Sequence, residues 1–425
     1  MDDLVPHPSR AAAVGAAPPR YLIFFFGSLV ALGPLSIDFY LPAFPTIAKA
    51  FGVTVFSVQN TLSAFLIGYG CGQFFGGSLS DQIGRKRVGY VGLSIYVVAS
   101  FSIAFSHGIE QMIVLRFLQA IGGGFSTVIC MATVRDIYPI EQLGRRFATV
   151  TMVVLVAPLV APMIGSYVLP LGWQVVFYIK AAYAACLLAA YSVLVPETRH
   201  GRWSNLSVRS IFVQCADVVT RRVDGRRLPI RYALAMALAT SVLMTFVTNA
   251  SFIYQQYFGV AVSRFPYLFG LSVLGFMSMT LFSMRRLTTD NAAVLFRRGL
   301  TIQVCAVGGL VIVVLTGHAA LWTVVPFIVL MVSTLGLIGP AGSARYMGFF
   351  TQLAGSASSV YSTMMFSFGG VLGALTGILA DGTLAPIVLV MAAATATASL
   401  IGLTLGSRRG GGATATIPVS RGGSS

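Results

Sequence analysis

A stretch almost free of charge begins near the start of the chain. From Tyr21 to Ala48 the only charged side chain before the end of the run is that of Asp38. A helix needs about 20 mostly apolar residues to cross a bilayer, and this stretch is long enough. Similar stretches recur along the chain, of which only 9% is charged, whereas ordinary soluble domains carry about 25% charged residues. The sequence therefore predicts an all-α integral membrane protein, because helices satisfy their own backbone hydrogen bonds in lipid.

The apolar stretches divide into twelve predicted transmembrane helices. They lie near residues 21–43, 56–79, 87–106, 111–134, 147–169, 174–195, 231–256, 265–284, 298–317, 319–342, 354–379 and 383–406.

The positions of the basic residues predict the orientation of these helices. Of the 28 lysines and arginines, Lys49 and Arg264 fall in predicted outer loops, and Arg116 and Lys180 fall inside spans. The other basic residues lie at or beyond the ends that are assigned to the cytoplasm. Cytoplasmic loops carry an excess of Lys and Arg, so both termini are predicted to be cytoplasmic.

The longest predicted loop, residues 196–230, separates two groups of six helices at 21–195 and 231–406. This arrangement is typical of transporters built from repeated bundles, with a site between the halves near the bilayer midplane. Within the loop, a short surface helix is predicted, with one apolar face made by Ile211, Cys215, Val218 and Val219. The ends of the chain, 1–20 and 407–425, are predicted to be disordered cytoplasmic tails.

Other classes of protein fit the sequence poorly. The net charge of +16 is explained by topology, so a nucleic-acid partner is not expected. The four histidines, at positions 7, 107, 200 and 318, lie in tails or loops, so they cannot form a metal site within the membrane. The chain has no GxxxxGK[ST] loop for ATP. We expect no cofactor.

The predicted inner loop between helices 2 and 3 reads "GGSLSDQIGRKRVG". Its glycines allow close approach and a positive backbone dihedral, and its acid can pair with the basic run. This spacing resembles the signature loop of the major facilitator superfamily. The resemblance implies a conformational-switch loop that is made by Gly77, Asp81, Gly84, Arg85 and Lys86, together with Arg135 and Asp136 at the end of helix 4.

Further stretches resemble one branch of that superfamily, the drug:proton antiporters of the bicyclomycin/chloramphenicol-resistance group. They include "DFYLPAFPTIA" (38–48), "RFLQAIGGGFSTVICMATVRDIYP" (116–139), "APLVAPMIGSYVLPLGWQVVF" (157–177), "PET" (196–198), "YQQYFGV" (254–260) and "AGSASSVYSTMMFSFGGVLGAL" (354–375).

The stretch in helix 5 resembles the antiporter motif of that branch, carried here by Pro158, Pro162 and Gly165. The chain departs from the pattern in two places: Ala157 stands where a glycine is usual, and Ser166 stands where a second glycine is common. Lys180 in helix 6 is not part of the pattern. It is predicted to extend to the outer headgroups or, alternatively, to face the cavity.

Asp38 and Arg116 are predicted to lie at the same depth. Each is about 5 residues from the outer end of its helix, which places both roughly 7–8 Å below the outer boundary. An acid and a base at one depth can form an ion pair, since each would be costly to bury alone. The pair could be a static support for helices 1 and 4. The resemblance favours proton coupling, in which water access or a movement of Arg116 loads and releases the proton of Asp38.

The resemblance implies efflux of small, mostly apolar drugs in exchange for protons, by a monomer in the bacterial inner membrane. Since helices 7 to 10 contain no acid, coupling is assigned to the N-terminal half. The predicted substrate cavity is lined by Tyr40, Asn249, Tyr254, Tyr361, Met364 and Phe368. The alternative is a transporter of the same fold for a specific metabolite, and a membrane-embedded enzyme is a third class.

Overall fold

The computed structural model describes residues 19, 21–198, 208–223, 225–288, 291–350 and 353–405. The regular elements of this part are helical, apart from a single β-bridge between Val223 and Arg226. The α-helices are α1 Tyr21–Asp38, α2 Phe44–Phe51, α3 Val55–Ile83, α4 Arg85–Ile103, α5 Ile109–Ile137, α6 Ile140–Val168, α7 Trp173–Leu194, α8 Val208–Thr220, α9 Leu228–Ser251, α10 Phe265–Arg286, α11 Ala292–Leu315, α12 Leu321–Met347, α13 Ala354–Ile378 and α14 Ala385–Leu403. The predicted tails lie outside the described residues, except for Pro19.

Apart from the short helices α2 and α8, each described α-helix coincides with a predicted span. Ten spans in this part of the chain are long and apolar enough to cross a membrane. The helices α3 and α4 are not among these ten. Both carry glycine, serine and charged residues at the inner loop, which lower their mean hydropathy.

The first predicted span is interrupted rather than continuous. Helix α1 ends at Asp38, and a 3₁₀ turn at Leu41–Ala43 leads into α2. Pro42 has no backbone N–H, so it cannot bond to the carbonyl four residues earlier. The last carbonyl oxygens of α1 therefore need partners from elsewhere, because a helix leaves its final four carbonyls unpaired.

Glycines bring helices together in the N-terminal half. Gly72 and Gly124 bring the backbones of α3 and α5 close together, because a side-chain carbon at Gly72 would lie 2.5 Å from the carbonyl oxygen of Ile121. Small residues allow this packing in a membrane, where lipid supplies no hydrophobic force between helices. The tight contact holds α5, which carries Arg116, against its neighbour.

The two predicted halves meet along two pairs of helices, α3 with α13 and α6 with α10. On α13, Gly370 lies against the backbone of Ser63 on α3. The ring centroids of Phe56, at the start of α3, and Phe252, just after α9, lie 4.6 Å apart. The halves are thus in direct contact through the membrane-spanning part.

The short helix predicted in the connector is present as α8. Val218 is buried, and Cys215 and Val219 pack with it against helices of the C-terminal half. The side chain of Ile211 lies outside the described residues. On the other side of α8, the Phe212 ring lies 5.8 Å from that of Phe74 on α3. The helix therefore contacts both halves. Helix α9 begins at Leu228, so the connector ends slightly earlier than predicted.

Candidate functional site

Asp38 is the final residue of α1 and is almost completely buried, with 5% exposure. The chain beyond it packs tightly against α6. A side-chain carbon at Gly165 would overlap the carbonyl oxygen of Phe39. The predicted antiporter motif thus contacts the residue that follows Asp38.

Arg116 lies in the same region, fully buried on α5. Its guanidinium donates to the side-chain oxygen of Gln119 at 2.6 Å and to the backbone oxygen of Ser36 at 3.1 Å. It also lies over the rings of Phe65 and Tyr40, at 4.3 and 4.7 Å from their centroids. A desolvated cation over an aromatic face gains about 2 kcal/mol or more. These contacts fix Arg116 against the end of α1.

The predicted ion pair between Asp38 and Arg116 is absent from this structure. Among the described residues, the ion pairs join Arg85 to Asp81 and to Asp136. Arg116 binds a backbone oxygen two residues before Asp38 instead. The physical reason is the break after α1, which leaves carbonyls in its last turn without helical partners, and the negative end of the helix dipole attracts a cation there.

Lys180 on α7 is the second cation at this site. Its side chain is buried, with 3% exposure, so the predicted extension to the outer headgroups is wrong. The ammonium nitrogen lies 3.5 Å from the backbone oxygen of Ser36, which Arg116 also contacts. It lies 4.2 Å from the ring centroid of Phe177 and 5.2 Å from that of Tyr40. The amine is therefore buried against two aromatic rings.

Arg116 and Lys180 therefore place two basic groups on one oxygen. Their nitrogen atoms are at most about 6.6 Å apart, the sum of the two contact distances. At an effective dielectric constant of about 20, two unit charges at this distance repel each other by about 2.5 kcal/mol. The helix end offsets roughly half a charge. The site is thus short of negative charge when both groups are protonated.

At the inner loop, Arg85 is the centre of a second cluster. It is buried at the start of α4, and its Nε donates to Asp136 at 2.7 Å. Its Nη1 donates to Ser80 at 2.8 Å and forms an ion pair with Asp81 at 3.0 Å. The structure therefore brings three of the predicted switch residues together across α3, α4 and α5.

Glu197 is a member of this cluster that the sequence reasoning missed. Its carboxylate accepts hydrogen bonds from the backbone N–H groups of Arg85 and Lys86, at 3.0 and 3.2 Å. Free N–H groups and the positive end of the dipole make a helix start favourable for an acid. The "PET" stretch (196–198) contributes to the family resemblance, but its sequence does not indicate this contact. Its acid stands beside Gly84, whose φ is +106° and whose missing side chain leaves room for the carboxylate.

The remaining switch and motif residues lie around these two clusters. Gly77 packs against Val128 of α5, and Lys86 donates to the backbone oxygen of Ser192 on α7 at 2.8 Å. Arg135 is exposed. Pro158 and Pro162 both lie inside α6, which continues through them.

The six predicted cavity residues fall into two groups. Tyr40, Asn249 and Tyr254 are fully buried. The amide of Asn249 donates to Thr376 on α13 at 2.9 Å, so it links two helices of the C-terminal half. The other group is only partly buried and lies on α13; it consists of Tyr361, Met364 and Phe368.

The sequence pattern of the Major Facilitator Superfamily matches residues 24–374. The chain belongs to this superfamily. Solved structures with the same fold include the nucleoside transporter NupG, with a TM-score of 0.70, 14% identity and coverage of 90% of this chain and 99% of NupG.

Sequence relatives confirm the predicted branch. A bicyclomycin resistance protein homolog from Haemophilus influenzae is 28% identical over 375 residues, which cover 87% of this chain and 92% of the relative. A chloramphenicol resistance protein from Pseudomonas aeruginosa is 30% identical over 351 residues, which cover 80% and 79% of the two chains. Together with the apolar helices, these relatives identify a multi-pass protein of the inner membrane.

Proposed function

We propose that this chain exports small, mostly apolar drugs from the cytoplasm in exchange for protons. The resistance proteins among its relatives support drug efflux as its activity. The proposal of proton coupling rests on the position of Asp38. This acid is buried at the end of α1, where a buried arginine, Arg116, binds the backbone oxygen of Ser36. An ionisable group within a membrane-spanning segment marks an ion pathway more often than it serves packing.

In the proposed cycle, Asp38 takes up a proton from the outer side and releases it to the cytoplasm. A negative Asp38 attracts Arg116, whereas a protonated Asp38 does not, so each proton changes the contact between α1 and α5. The two six-helix halves alternate access to a site between them. The proposed topology has twelve spans, cytoplasmic termini and a connector that contains α8, and the protein acts as a monomeric transporter rather than as an enzyme.

The first experiment is expression in a strain that lacks its own efflux pumps, followed by a screen of tolerance to antibiotics and dyes. Chloramphenicol is the first probe, because it is the compound in the name of a relative. We expect the inhibitory concentration to rise in the strain that expresses the parent protein. It should stay unchanged in the strain with an empty vector. Equal tolerance of the two strains to every compound would contradict drug efflux and favour a specific metabolite as substrate.

The second experiment measures coupling directly. Inside-out membrane vesicles with an acidic lumen should accumulate chloramphenicol, and collapse of the pH gradient should release it. Uptake that is insensitive to the gradient would contradict proton exchange.

A further inference from the structure

Lys180 is buried beside the end of α1, and the proposed cycle of Asp38 and Arg116 does not use it. Its ammonium group can donate three hydrogen bonds. The acceptor it contacts is the backbone oxygen of Ser36, at 3.5 Å, and Arg116 shares that oxygen at 3.1 Å. The Nε–H of Arg116 is buried without a hydrogen-bond partner. The site thus holds more donors than acceptors.

Only one of the two bases can lose a proton and so reduce the excess of hydrogen-bond donors. A guanidinium keeps its proton in proteins, whereas a lysine amine gives its proton up when it is buried or placed near another cation. The titratable groups that face the amine are Arg116 from α5 and Tyr40 from the turn after α1. Tyr96 of α4 is hydrogen-bonded to the side chain of Ser36. Asp38 lies two residues beyond Ser36 and forms no ion pair with either base among the described residues.

We propose that Lys180 is a second proton-binding group of the transport site, whose amine exchanges a proton with water during the cycle. The proton leaves Nζ for water that reaches the site in one conformation, and the neutral amine remains beside Arg116. In another conformation the amine takes a proton back from water. This proposal rests on the proposed proton coupling for its role in transport. The exchange of the proton itself can be measured without any substrate.

The decisive measurement is a potentiometric titration of the purified full-length protein in detergent, from pH 6 to pH 9. Lys180→Met keeps the length of the side chain and removes the proton. We expect the parent to release about one proton more than this variant over that range. The matched control is Lys49→Met, because Lys49 is an exposed lysine, and its curve should superimpose on that of the parent. If Lys180→Met does not purify in folded form, Lys180→Gln replaces it.

A curve for Lys180→Met that superimposes on the parent curve would overturn the proposal, since it would mean that Lys180 keeps one charge state throughout. This outcome does not depend on whether the chain exports drugs. Conversely, failure of the parent to accumulate chloramphenicol would contradict the proposed function and leave the titration valid.

The role in transport is tested by two variants that hold opposite charge states. Lys180→Met is always neutral and Lys180→Arg is always charged. In inside-out vesicles we compare gradient-driven uptake of chloramphenicol with its exchange at equal pH. The ratio of the two rates should fall at least tenfold in both variants. If either variant keeps the parent ratio, transport does not need a change of charge state at this position, and Lys180 does not carry a transported proton.

Discussion

Arg85 and Asp136 form an ion pair of 2.7 Å between the first turn of α4 and the last turn of α5. The arginine is almost fully buried, whereas the side chain of Asp81, its other acidic partner, is 49% exposed. Ion pairs between exposed groups contribute about 0–1 kcal/mol, and buried ones that lose a partner cost more. Asp136 is therefore expected to stabilise the inner loop more than Asp81 does.

The first prediction concerns these two acids. Asp136→Asn should lower the rate of transport more than Asp81→Asn or Asp81→Ala does, with apparent substrate affinity changed little in each. The reason is that the role predicted for the loop is to stabilise one conformation of the transporter, without contact to the substrate. Initial rates of chloramphenicol uptake at several concentrations test this, with protein amounts matched by immunoblot. If all three variants turn over as fast as the parent, the loop serves only as an orientation signal.

The second prediction concerns Gly84. Gly84→Ala should destabilise the inner loop by about 1–3 kcal/mol, because a side chain is strained at its positive φ. The added carbon would also lie 2.7 Å from an oxygen of Glu197. Gly144→Ala is the control, since that glycine has open space around it. Thermal unfolding in detergent should show a lower midpoint for Gly84→Ala alone. Equal midpoints would argue against the cap that Glu197 makes on α4.

The third prediction concerns the acid at the end of α1. Asp38→Asn should abolish gradient-driven uptake while the protein remains folded and inserted, because asparagine keeps the shape and hydrogen bonding but cannot titrate. The measurement is uptake in inside-out vesicles with a pH gradient as the only driving force. Accumulation at the parent level would show that another group carries the proton.

The fourth prediction separates a proton switch from a static support at Arg116. Arg116→Ala removes the nearby cation and should move the pH profile of transport, or stop transport with Asp38 held protonated. Arg116→Lys should be milder, since it keeps the charge and loses the planar fork. Substrate-induced proton release from pH 5 to pH 9 distinguishes the two roles. Unchanged profiles with a lowered melting temperature in both variants would favour the static support.

The fifth prediction concerns the contact between α6 and the end of α1. Gly165→Ala should push α6 away from Phe39, since overpacking in a close contact costs roughly 1–3 kcal/mol. The displaced chain carries Asp38, so gradient-driven uptake should fall. Gly308→Ala, at a membrane glycine with open space around it, is the control. Equal uptake by both variants would mean that the motif does not position Asp38.

The sequence by itself determined the helical segments of this protein. Length and hydropathy are properties of consecutive residues, so the apolar stretches could be predicted directly. The end of α1 at Asp38, five residues before the predicted end of that span, could not. The resemblance of the inner loop and of the end of helix 4 likewise predicts Arg85, Asp81 and Asp136 as residues of one switch.

The tertiary structure alone decided which groups meet at a given depth. Each residue turns about 100° around a helix axis, so the side to which a residue points depends on how the whole helix is rotated and packed. The rotation of α7 directs Lys180 to Ser36 and away from the headgroups. The break after α1 offers Arg116 a backbone oxygen in place of the Asp38 carboxylate. The segment after α7 brings Glu197 to the start of α4. The two are far apart in sequence, so no local pattern could predict this contact.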